Sequence, residues 1–269
     1  MTISAVIPAH NCVATLARAI DSVLAQTHKA NEIIVVDDGS TDATSEVAKM
    51  YPEVFLLRQK KMGFSSARNN GVMMAMYDWI AFLDADDTWH PEKLKEQVAY
   101  HRENRHCKVS ATGEVRMRDG KEAPIPNPFQ KPGEATFESC LGYCNIAASS
   151  IMMERKLFDR LGGFDESMEV CEDYDLWLRV LREERICLIN RELTCRYGGD
   201  DDRLPEEERR MERFRVKALE KHLECEYDAA VRRELIRKYT LLAEGAQKSA
   251  EEDEYARYLA RIEQLEAGV

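Results

Sequence analysis

The sequence predicts an α/β fold, with a mostly parallel, Rossmann-like sheet covered by helices on both faces and a helical appendage at the C-terminus. Two observations support this. Over the first hundred residues, strand-like and helix-like segments alternate with short breaks, which is typical of a parallel sheet with helices on both faces. From Pro205 onward, aliphatic residues recur with helical spacing among dense and nearly balanced charges. We therefore predict a first domain at residues 1–204 and a helical extension at 205–269.

The predicted elements of the first domain follow in a regular order. Strands are expected at residues 3–8, 32–36, 54–57 and 79–83, and helices at 14–25, 41–49, 65–76 and 92–103. Pro91 suits the first turn of the last of these helices. Beyond it we expect an extended segment at 108–118, a proline-rich loop, strands at 147–153 and 186–190, and helices at 156–161 and 172–182.

The C-terminal extension is predicted to be a small helical bundle or hairpin. It either buries one apolar stripe against the rest of the chain or a second subunit, or it serves as a dedicated partner-binding or membrane-surface helix. We favour the first, because neither polar face is dominantly basic. A homodimer through these helices is compatible with this interpretation.

Composition narrows the class of protein. The chain has 269 residues and a formal net charge of -11, which disfavours binding to nucleic acid. No apolar stretch approaches the roughly 20 residues of a membrane helix, so any membrane contact is expected to be peripheral. The eight cysteines have neither CxxC nor zinc-site spacing, and no signal-peptide pattern is seen. We expect reduced thiols and a cytoplasmic protein, with any membrane contact at the inner face.

Polar residues follow the predicted strands at their carboxyl ends, where open parallel sheets bind ligands. The segments are PAHN (8–11), VVDDGSTD (35–42) and FLDADD (82–87), with GFSSARNNG (63–71) between the last two. There is no GxGxxG motif after the first strand and no GxxxxGKS or GxxxxGKT phosphate loop, which disfavours dinucleotide binding. A diphosphate ligand would have to be met by a metal, by Arg68, by Lys60 or Lys61, or by backbone amides.

Asp84, Asp86 and Asp87 are predicted to form a metal site. Carboxylates this close repel by roughly 4 kcal/mol at 4 Å with an effective dielectric constant of 20. A divalent cation removes that repulsion, and Mg²⁺ or Mn²⁺ bound by one or two carboxylates takes its other ligands from phosphates and water. The alternative is that these residues form a helix cap and a solvated turn before the helix at 92–103.

Two further acidic clusters each have two interpretations. Asp37 and Asp38 form either a turn with a helix cap or a site that accepts hydrogen bonds from a nucleobase or ribose. Glu172 and Asp175 complement the dipole of a helix N-terminus. Asp173 is a candidate general base, because a like-charged neighbour and partial burial raise a carboxyl pKa.

Taken together, the motifs in this order resemble a family 2 glycosyltransferase of the GT-A fold. The matching segments are VIPAHN, VVDDGSTD, GFSSARNNG, FLDADDTWHPEKL, ASSIMMERKLFDRLGGFDE and EDYDLWLR, and they span roughly residues 1 to 200. The resemblance implies a nucleoside diphosphate sugar donor, for which we expect a UDP-sugar, and a divalent Mn²⁺ or Mg²⁺ ion. It also implies inverting transfer to a hydroxyl of a glycan, lipid-linked or small-molecule acceptor, as in polysaccharide synthesis.

The resemblance also assigns roles by position. Pro8, Ala9 and Asn11 would line the nucleoside, Asp37 or Asp38 would contact the base, and Arg68 would approach the base or diphosphate. Asp84 and Asp86 would be the DxD pair, with Asp86 the first metal ligand and Asp87 sharing metal or ribose contacts. Ser149 and Ser150 would border the donor sugar, and Asp173 would deprotonate the acceptor hydroxyl.

Two departures from the family pattern limit these assignments. QxxRW is absent after EDYDLW, which disfavours a processive synthase. Where many relatives carry a histidine that reaches the metal or diphosphate, this chain has CRYGGDDD, so Tyr197 and Asp200 stand in that region and Asp200 is a candidate third ligand.

The competing hypotheses are a sugar-phosphate nucleotidyltransferase, which would need a glycine-rich loop in place of PAHN, and a non-catalytic nucleotide-sugar sensor or scaffold.

Overall fold

The computed structural model describes residues 1–118, 120–124, 135–143, 145–197 and 205–267. The strands are β1 (Ile3–Ala9), β2 (Glu32–Asp38), β3 (Val54–Gln59), β4 (Trp79–Phe82), β5 (Thr88–Trp89), β6 (Val109–Arg118), β7 (Lys121–Ala123), β8 (Ile151–Glu154) and β9 (Ile186–Tyr197). The helices are α1 (Leu16–Leu24), α2 (Thr44–Lys49), α3 (Phe64–Met74), α4 (Lys93–Glu103), α5 (Phe137–Cys140), α6 (Arg155–Arg160), α7 (Glu172–Glu183), α8 (Pro205–Glu220), α9 (Asp228–Lys248) and α10 (Glu252–Ala267).

The described strands form one sheet in the order β3-β2-β1-β4-β8-β6-β9-β5, and β7 pairs with β6. β3, β2, β1 and β4 are parallel, so their carboxyl ends meet at one edge. The second half is mixed: β8 runs antiparallel to both β4 and β6, while β9 is parallel to β6. The predicted α/β class is confirmed, and its parallel character is strongest in the first half.

Helices cover both faces of the sheet because alternate residues of each strand point to opposite sides. Ile3, Ala5 and Ile7 of β1 pack with α1 and α4 in one apolar cluster. Val6 belongs to the second cluster, on the face covered by α3 and α7. A Cβ on Gly71 of α3 would lie 2.4 Å from Val6 Cγ1, so glycine allows α3 to approach β1 closely.

The C-terminal helices share their core with the rest of the chain. Val216, Leu235 and Tyr239 are buried in the same apolar cluster as Phe137 and Trp177. The predicted burial of an apolar stripe against the body of the protein is therefore confirmed. The domain boundary at 204 and the homodimer stay predictions.

The helical extension also holds buried charges against the first domain. Arg215 and Lys238 are almost fully buried, and Glu212 accepts hydrogen bonds from both, at 2.6 and 2.9 Å. Lys238 Nζ also donates to the backbone oxygen of Gly142 at 2.8 Å. α9 is thus joined to the segment after α5 by polar as well as apolar contacts.

Several local predictions differ from the structure. The strand expected at 147–153 begins as a 3₁₀ turn, Ala148–Ser150, because the Ser150 hydroxyl donates to the Ala147 backbone oxygen at 2.8 Å and strand pairing starts only at Ile151. The last strand runs on to Tyr197, since it pairs with β6 as far as Met117, with register shifts on both sides of Gly113. β5 was not predicted, because two residues carry no periodicity.

A disulfide joins Cys107 to Cys187, so the expectation that all eight cysteines are reduced is wrong for this pair. In the described parts of the chain, no helix is long and apolar enough to cross a membrane. Most of the proline-rich loop and the candidate ligand Asp200 lie outside the described residues.

Candidate active site

A cleft of about 760 Å³ opens at the carboxyl ends of β1 and β4. One wall comes from the segments after these strands and from the start of α3. The opposite wall comes from the start of α7 and from α8. The predicted site residues that line the cleft are Pro8, Asn11, Arg68, Asp84, Asp86 and Asp173.

Arg68 connects the two walls. It is 4% exposed, its Nη2 donates to Asp84 Oδ1 at 2.6 Å, and its Nη1 donates to Glu172 Oε1 at 2.5 Å. Burial alone would lower the pKa of the guanidinium, but the carboxylates of Asp84 and Glu172 outweigh it and raise the pKa. Arg68 is therefore a fixed positive charge that joins the segment after β4 to the first turn of α7.

The three aspartates after β4 point in different directions. Asp84 faces Arg68, while Asp86 is exposed in the cleft and Asp87 is 4% exposed. α4 begins after Glu92 without a side-chain cap, so the interpretation of these aspartates as a helix cap is wrong. Although the Asp86 side chain is exposed, the surrounding protein partly removes water from it. This desolvation, followed by the negative charge of Asp84, raises the pKa of Asp86.

Asp87 is held from inside the protein. Its carboxylate accepts from the Ser149 hydroxyl at 2.7 Å and from the Tyr197 backbone N–H at 3.2 Å. Burial first, and then the charges of Asp84 and Asp86, raise the pKa of Asp87 to about 8. Ser149 Oγ also accepts from the Asp84 backbone N–H at 3.0 Å, so one hydroxyl fixes both ends of the DADD segment.

The serines predicted to border the donor sugar are internal. Ser149 and Ser150 are fully buried, and neither lines the cleft. Ser149 acts on the cleft through Asp84 and Asp87, whereas Ser150 helps to hold the 3₁₀ turn. Their donor-sugar contacts stay a prediction.

Asp37 and Asp38 are also buried, and neither lines the cleft. Asp37 accepts from the Ser40 backbone N–H at 2.8 Å and from the Ser45 hydroxyl, and Arg58 Nε is 3.3 Å away. Burial would raise the pKa of Asp37, but these hydrogen bonds and the Arg58 charge lower it. Asp37 therefore stays ionised and shapes the loop that leads into α2.

Asp38 organises the entry to α3. Its two oxygens accept from the Met62 and Gly63 backbone N–H groups at 2.7 and 2.8 Å, and from Gln59 Nε2 at 2.8 Å. These contacts are those of a structural turn, as one of the two interpretations predicts. The helix cap that it included is wrong, because α2 begins after Ala43 without a side-chain cap. A nucleobase contact stays a prediction.

The loop after β1 is fixed to the loop after β2. Asn11 has a positive φ of 49°, its Oδ1 accepts from the Thr41 backbone N–H at 2.8 Å, and its own N–H donates to Ser40 Oγ at 2.9 Å. Asn11 and Pro8 reach the cleft, while Ala9 is fully buried and does not line it.

The N-terminus of α7 carries the candidate base. Cys171 precedes the helix in the left-handed conformation, with φ 60°, and both it and Asp173 line the cleft. Asp173 Oδ1 accepts from the Tyr174 backbone N–H at 2.7 Å. Burial raises the pKa of Glu172. The positive charge of Arg68 lowers that pKa, and the negative charge of Asp173 raises it further. Asp175 points away from the cleft and pairs with Arg179 and Lys221.

The acidic residues of the cleft could bind a cation whose other ligands come from phosphate and water. Within the described ranges, no group of three or more acidic, histidine or cysteine side chains closes around one point. Asp86 is nonetheless exposed in the cleft and Asp84 is one-third exposed beside it. This donor set suits Mg²⁺ or Mn²⁺ held by one or two carboxylates and completed by phosphate and water.

The cleft also contains residues that the sequence did not single out. Arg196, Glu169 and one face of α8 are part of its lining. Arg18, which is not part of the lining, donates to the Asp86 backbone oxygen at 2.7 Å and lies over the Tyr197 ring at 3.5 Å. For the residues of α8, the sequence offered one signal, which was the helical spacing of Glu207, Arg210 and Met211. That spacing does not indicate whether this face of the helix meets the cleft.

The fold and the cleft define a GT-A type α/β protein. Among solved structures, TarS of S. aureus in complex with UDP-GlcNAc is similar with a TM-score of 0.72 and 18% identity, covering 98% of this chain and 81% of that one. A complex of TarS residues 1–349 with UDP is similar with a TM-score of 0.64 and 20% identity, over 91% of this chain and 70% of that one. At these identities the likeness supports the fold.

The model of glycosyl transferase family 2 matches residues 4–162, and the chain belongs to this family. A relative is the Escherichia coli UDP-Glc:alpha-D-GlcNAc-diphosphoundecaprenol beta-1,3-glucosyltransferase WfaP, 32% identical over 66% of this chain and 70% of that protein. An uncharacterized glycosyltransferase of Rickettsia felis is 32% identical over 71% of this chain, and the match spans 32% of that longer protein.

Proposed function

We propose that this protein transfers a hexose from a UDP-sugar to a hydroxyl of a lipid-diphosphate-linked sugar, with inversion at the anomeric carbon. The observation that carries this proposal is the Arg68 bridge. It joins Asp84, in the proposed donor site, to Glu172, beside the proposed base Asp173, and all of them line one cleft. Donor and acceptor groups would therefore face each other across a short distance.

In the proposed reaction, Asp173 accepts the proton of the acceptor hydroxyl as its oxygen attacks the anomeric carbon. The bond from that carbon to the diphosphate oxygen breaks on the opposite face, and UDP leaves. Asp173 is suited to this because one oxygen is oriented by the Tyr174 N–H while the side chain lies on the cleft. Arg68 would keep Asp84 and Glu172 in place and meet the negative charge of the diphosphate.

Asp86 and Asp84 would hold the divalent ion, and the Asp87 carboxyl group, bound to Ser149, would support their segment. When bound, Mg²⁺ or Mn²⁺ supplies charge stabilisation for the leaving diphosphate. Pro8 and Asn11 would contact the nucleoside from the loop after β1. Asp37 and Asp38 would hold the loop into α2 and the start of α3, and Ser149 and Ser150 would fix the position of the DxD segment.

The substrate assignment rests on relatives. WfaP and a second Escherichia coli relative, WfgD, are both named for UDP-Glc as donor and an α-D-GlcNAc-diphosphoundecaprenol acceptor. The TarS complexes contain UDP and UDP-GlcNAc. An acceptor on a lipid would place the reaction at a membrane surface, and we infer peripheral contact at the cytoplasmic face.

The test combines binding and turnover. UDP, UDP-glucose and UDP-GlcNAc are screened by thermal shift with and without MnCl₂, and UDP release is then measured with and without an N-acetylglucosaminyl diphosphate on a short alkyl chain. Asp173→Asn should keep donor binding and lose transfer by about 10²- to 10⁴-fold. Asp86→Ala should lose the Mn²⁺-dependent stabilisation.

Asp159→Asn is the matched control, since Asp159 is an exposed acid outside the cleft lining and should change neither readout. Binding of UDP-sugars without hydrolysis or transfer would favour a non-catalytic sensor. Absence of both binding and turnover would overturn the proposal.

A further inference from the structure

One face of α8 belongs to the cleft. Glu207, Arg210, Met211 and Arg215 line it, and they stand at positions i, i+3, i+4 and i+8, as expected for one side of a helix. α8 follows the part of the chain that matches the family model, which ends at residue 162. This wall is therefore contributed by the C-terminal helices.

The wall is fastened to the segment that leads to the proposed base. Arg210 Nη2 donates to Glu169 Oε2 at 2.5 Å, and the Cys171 thiol points at the Met211 backbone oxygen at 3.7 Å. Cys171 is two residues before Asp173, so the position of α8 and the position of the base depend on each other.

Only part of the space around Asp173 is open to an acceptor. Arg68 and Asp84 occupy the donor side of the cleft, and the neighbouring Tyr174 is 1% exposed and points into the core. Residues 169–171 and α8 line the same cleft as Asp173, so a group whose hydroxyl reaches Asp173 from the side opposite the donor can lie against them.

The chemistry of this wall favours a sugar ring over a phosphate. Glu207 and Glu169 offer acceptors for hydroxyl groups, and Arg210 offers donors. Met211 and Val170 add an apolar surface suited to the C–H face of a pyranose. The second cation, Arg215, is 1% exposed and is held by Glu208 and Glu212, so the wall presents no excess of positive charge for a diphosphate.

We propose that the α8 face of Glu207, Arg210 and Met211, together with Glu169, is the acceptor subsite and binds the terminal sugar ring of the acceptor. This rests on the proposed function and assigns a residue set to its acceptor side. Arg210 is then a specificity-determining residue, which hydrogen-bonds to the ring that carries the attacking hydroxyl.

The experiment separates acceptor use from donor use. Kinetics are measured with UDP-glucose as donor and N-acetylglucosaminyl diphosphate on a short alkyl chain as acceptor, and hydrolysis of UDP-glucose is measured without acceptor. Arg210→Ala should raise the acceptor KM about ten- to a hundredfold, the effect of losing a charged hydrogen bond. The donor KM should stay at the wild-type value, and hydrolysis, which uses no acceptor sugar, should fall by much less than the rate of transfer. Met211→Trp, which fills the groove, should have the same selective effect.

The matched control is Arg213→Ala. Arg213 lies on the same helix but pairs with Glu254 at 2.6 Å and does not line the cleft, so its acceptor KM should be that of the wild type. Arg210→Lys should restore part of the acceptor affinity.

If the wild-type protein hydrolyses UDP-glucose but Arg210→Ala and Met211→Trp leave the acceptor KM unchanged, this inference is overturned and the proposed function is not. Equal losses of hydrolysis and transfer in both variants would also overturn this inference. Absence of hydrolysis in the wild type would instead count against the proposed function.

Discussion

Replacing Arg68 by alanine should destabilise the fold markedly. The two ion pairs, at 2.6 and 2.5 Å, each carry about 6 kcal/mol of Coulomb attraction at an effective dielectric constant of 20, most of which desolvation cancels. Removing the cation leaves two carboxylates uncompensated, which costs about 3–5 kcal/mol when both are buried. Because Asp84 is one-third exposed and can be hydrated, we expect the lower end, about 3 kcal/mol. For a domain of this size, that is a fall in Tm of about 6–12 °C.

The loss should depend on pH. Burial already raises the pKa of Glu172, and Arg68 opposes that effect. A carboxyl with a higher pKa in the folded state than in the unfolded chain lowers the free energy of unfolding as pH rises. Without Arg68 this penalty grows, so Arg68→Ala should be most destabilising near pH 7 and less so as pH falls toward the ordinary Glu pKa of about 4.3.

Urea unfolding from pH 4.5 to 7.5 measures this, with Arg160→Ala as control. Arg160 also contacts two glutamates, Glu183 and Glu184, but it is half exposed, so its removal should cost at most about 1 kcal/mol. If Arg68→Ala changed the free energy of unfolding no more than Arg160→Ala at every pH, the bridge would not hold the two walls together.

Three further predictions concern the supports of the cleft. The pKa of Asp87 is raised to about 8 in the folded protein, so the Tm of the wild type should decline as pH rises from about 4 to 8, because deprotonation favours the unfolded chain. Asp87→Asn should flatten this decline when Tm is measured with EDTA present. An unchanged slope would contradict this. Ser149→Ala should lower the free energy of unfolding by about 1–3 kcal/mol in urea, since the Asp84 backbone N–H and the buried Asp87 side chain lose their partner. Gly71→Ala should cost about 1–3 kcal/mol because its Cβ would meet Val6, whereas Gly142→Ala, with open space around it, should be close to neutral in the same assay.

The fold was predictable where the sequence carries periodicity. β1 to β4 and α1 to α4 begin and end within a few residues of their predicted positions, because each buries a run of apolar residues with its own period. The start of the 147–153 segment was not predictable, since its 3₁₀ turn is set by the Ser150 side chain and by contacts with Asp84, distant in sequence.

The site was predictable as a set of strand ends but not as a set of contacts. Parallel strands bring their carboxyl ends to one edge, so the meeting of PAHN with Asp84 and Asp86 followed from the topology. The Arg68 bridge did not, because its partners lie 16 and 104 residues away. The burial of Asp37 and Asp38 was not predictable either, because it depends on hydrogen bonds from the backbone N–H groups of Ser40, Met62 and Gly63, which no spacing rule specifies.

The core shared by Phe137, Trp177 and the C-terminal helices bears on how chimeras of this enzyme family can be made. A chain cut where the family match ends would lose α7 and α8 and leave the apolar cluster around Phe137 open to water. Hybrids that exchange acceptor preference should therefore be joined within exposed loops and carry α8 and α9 as a unit. Recombination at the family boundary should instead yield aggregating protein, whatever residues it brings to the cleft.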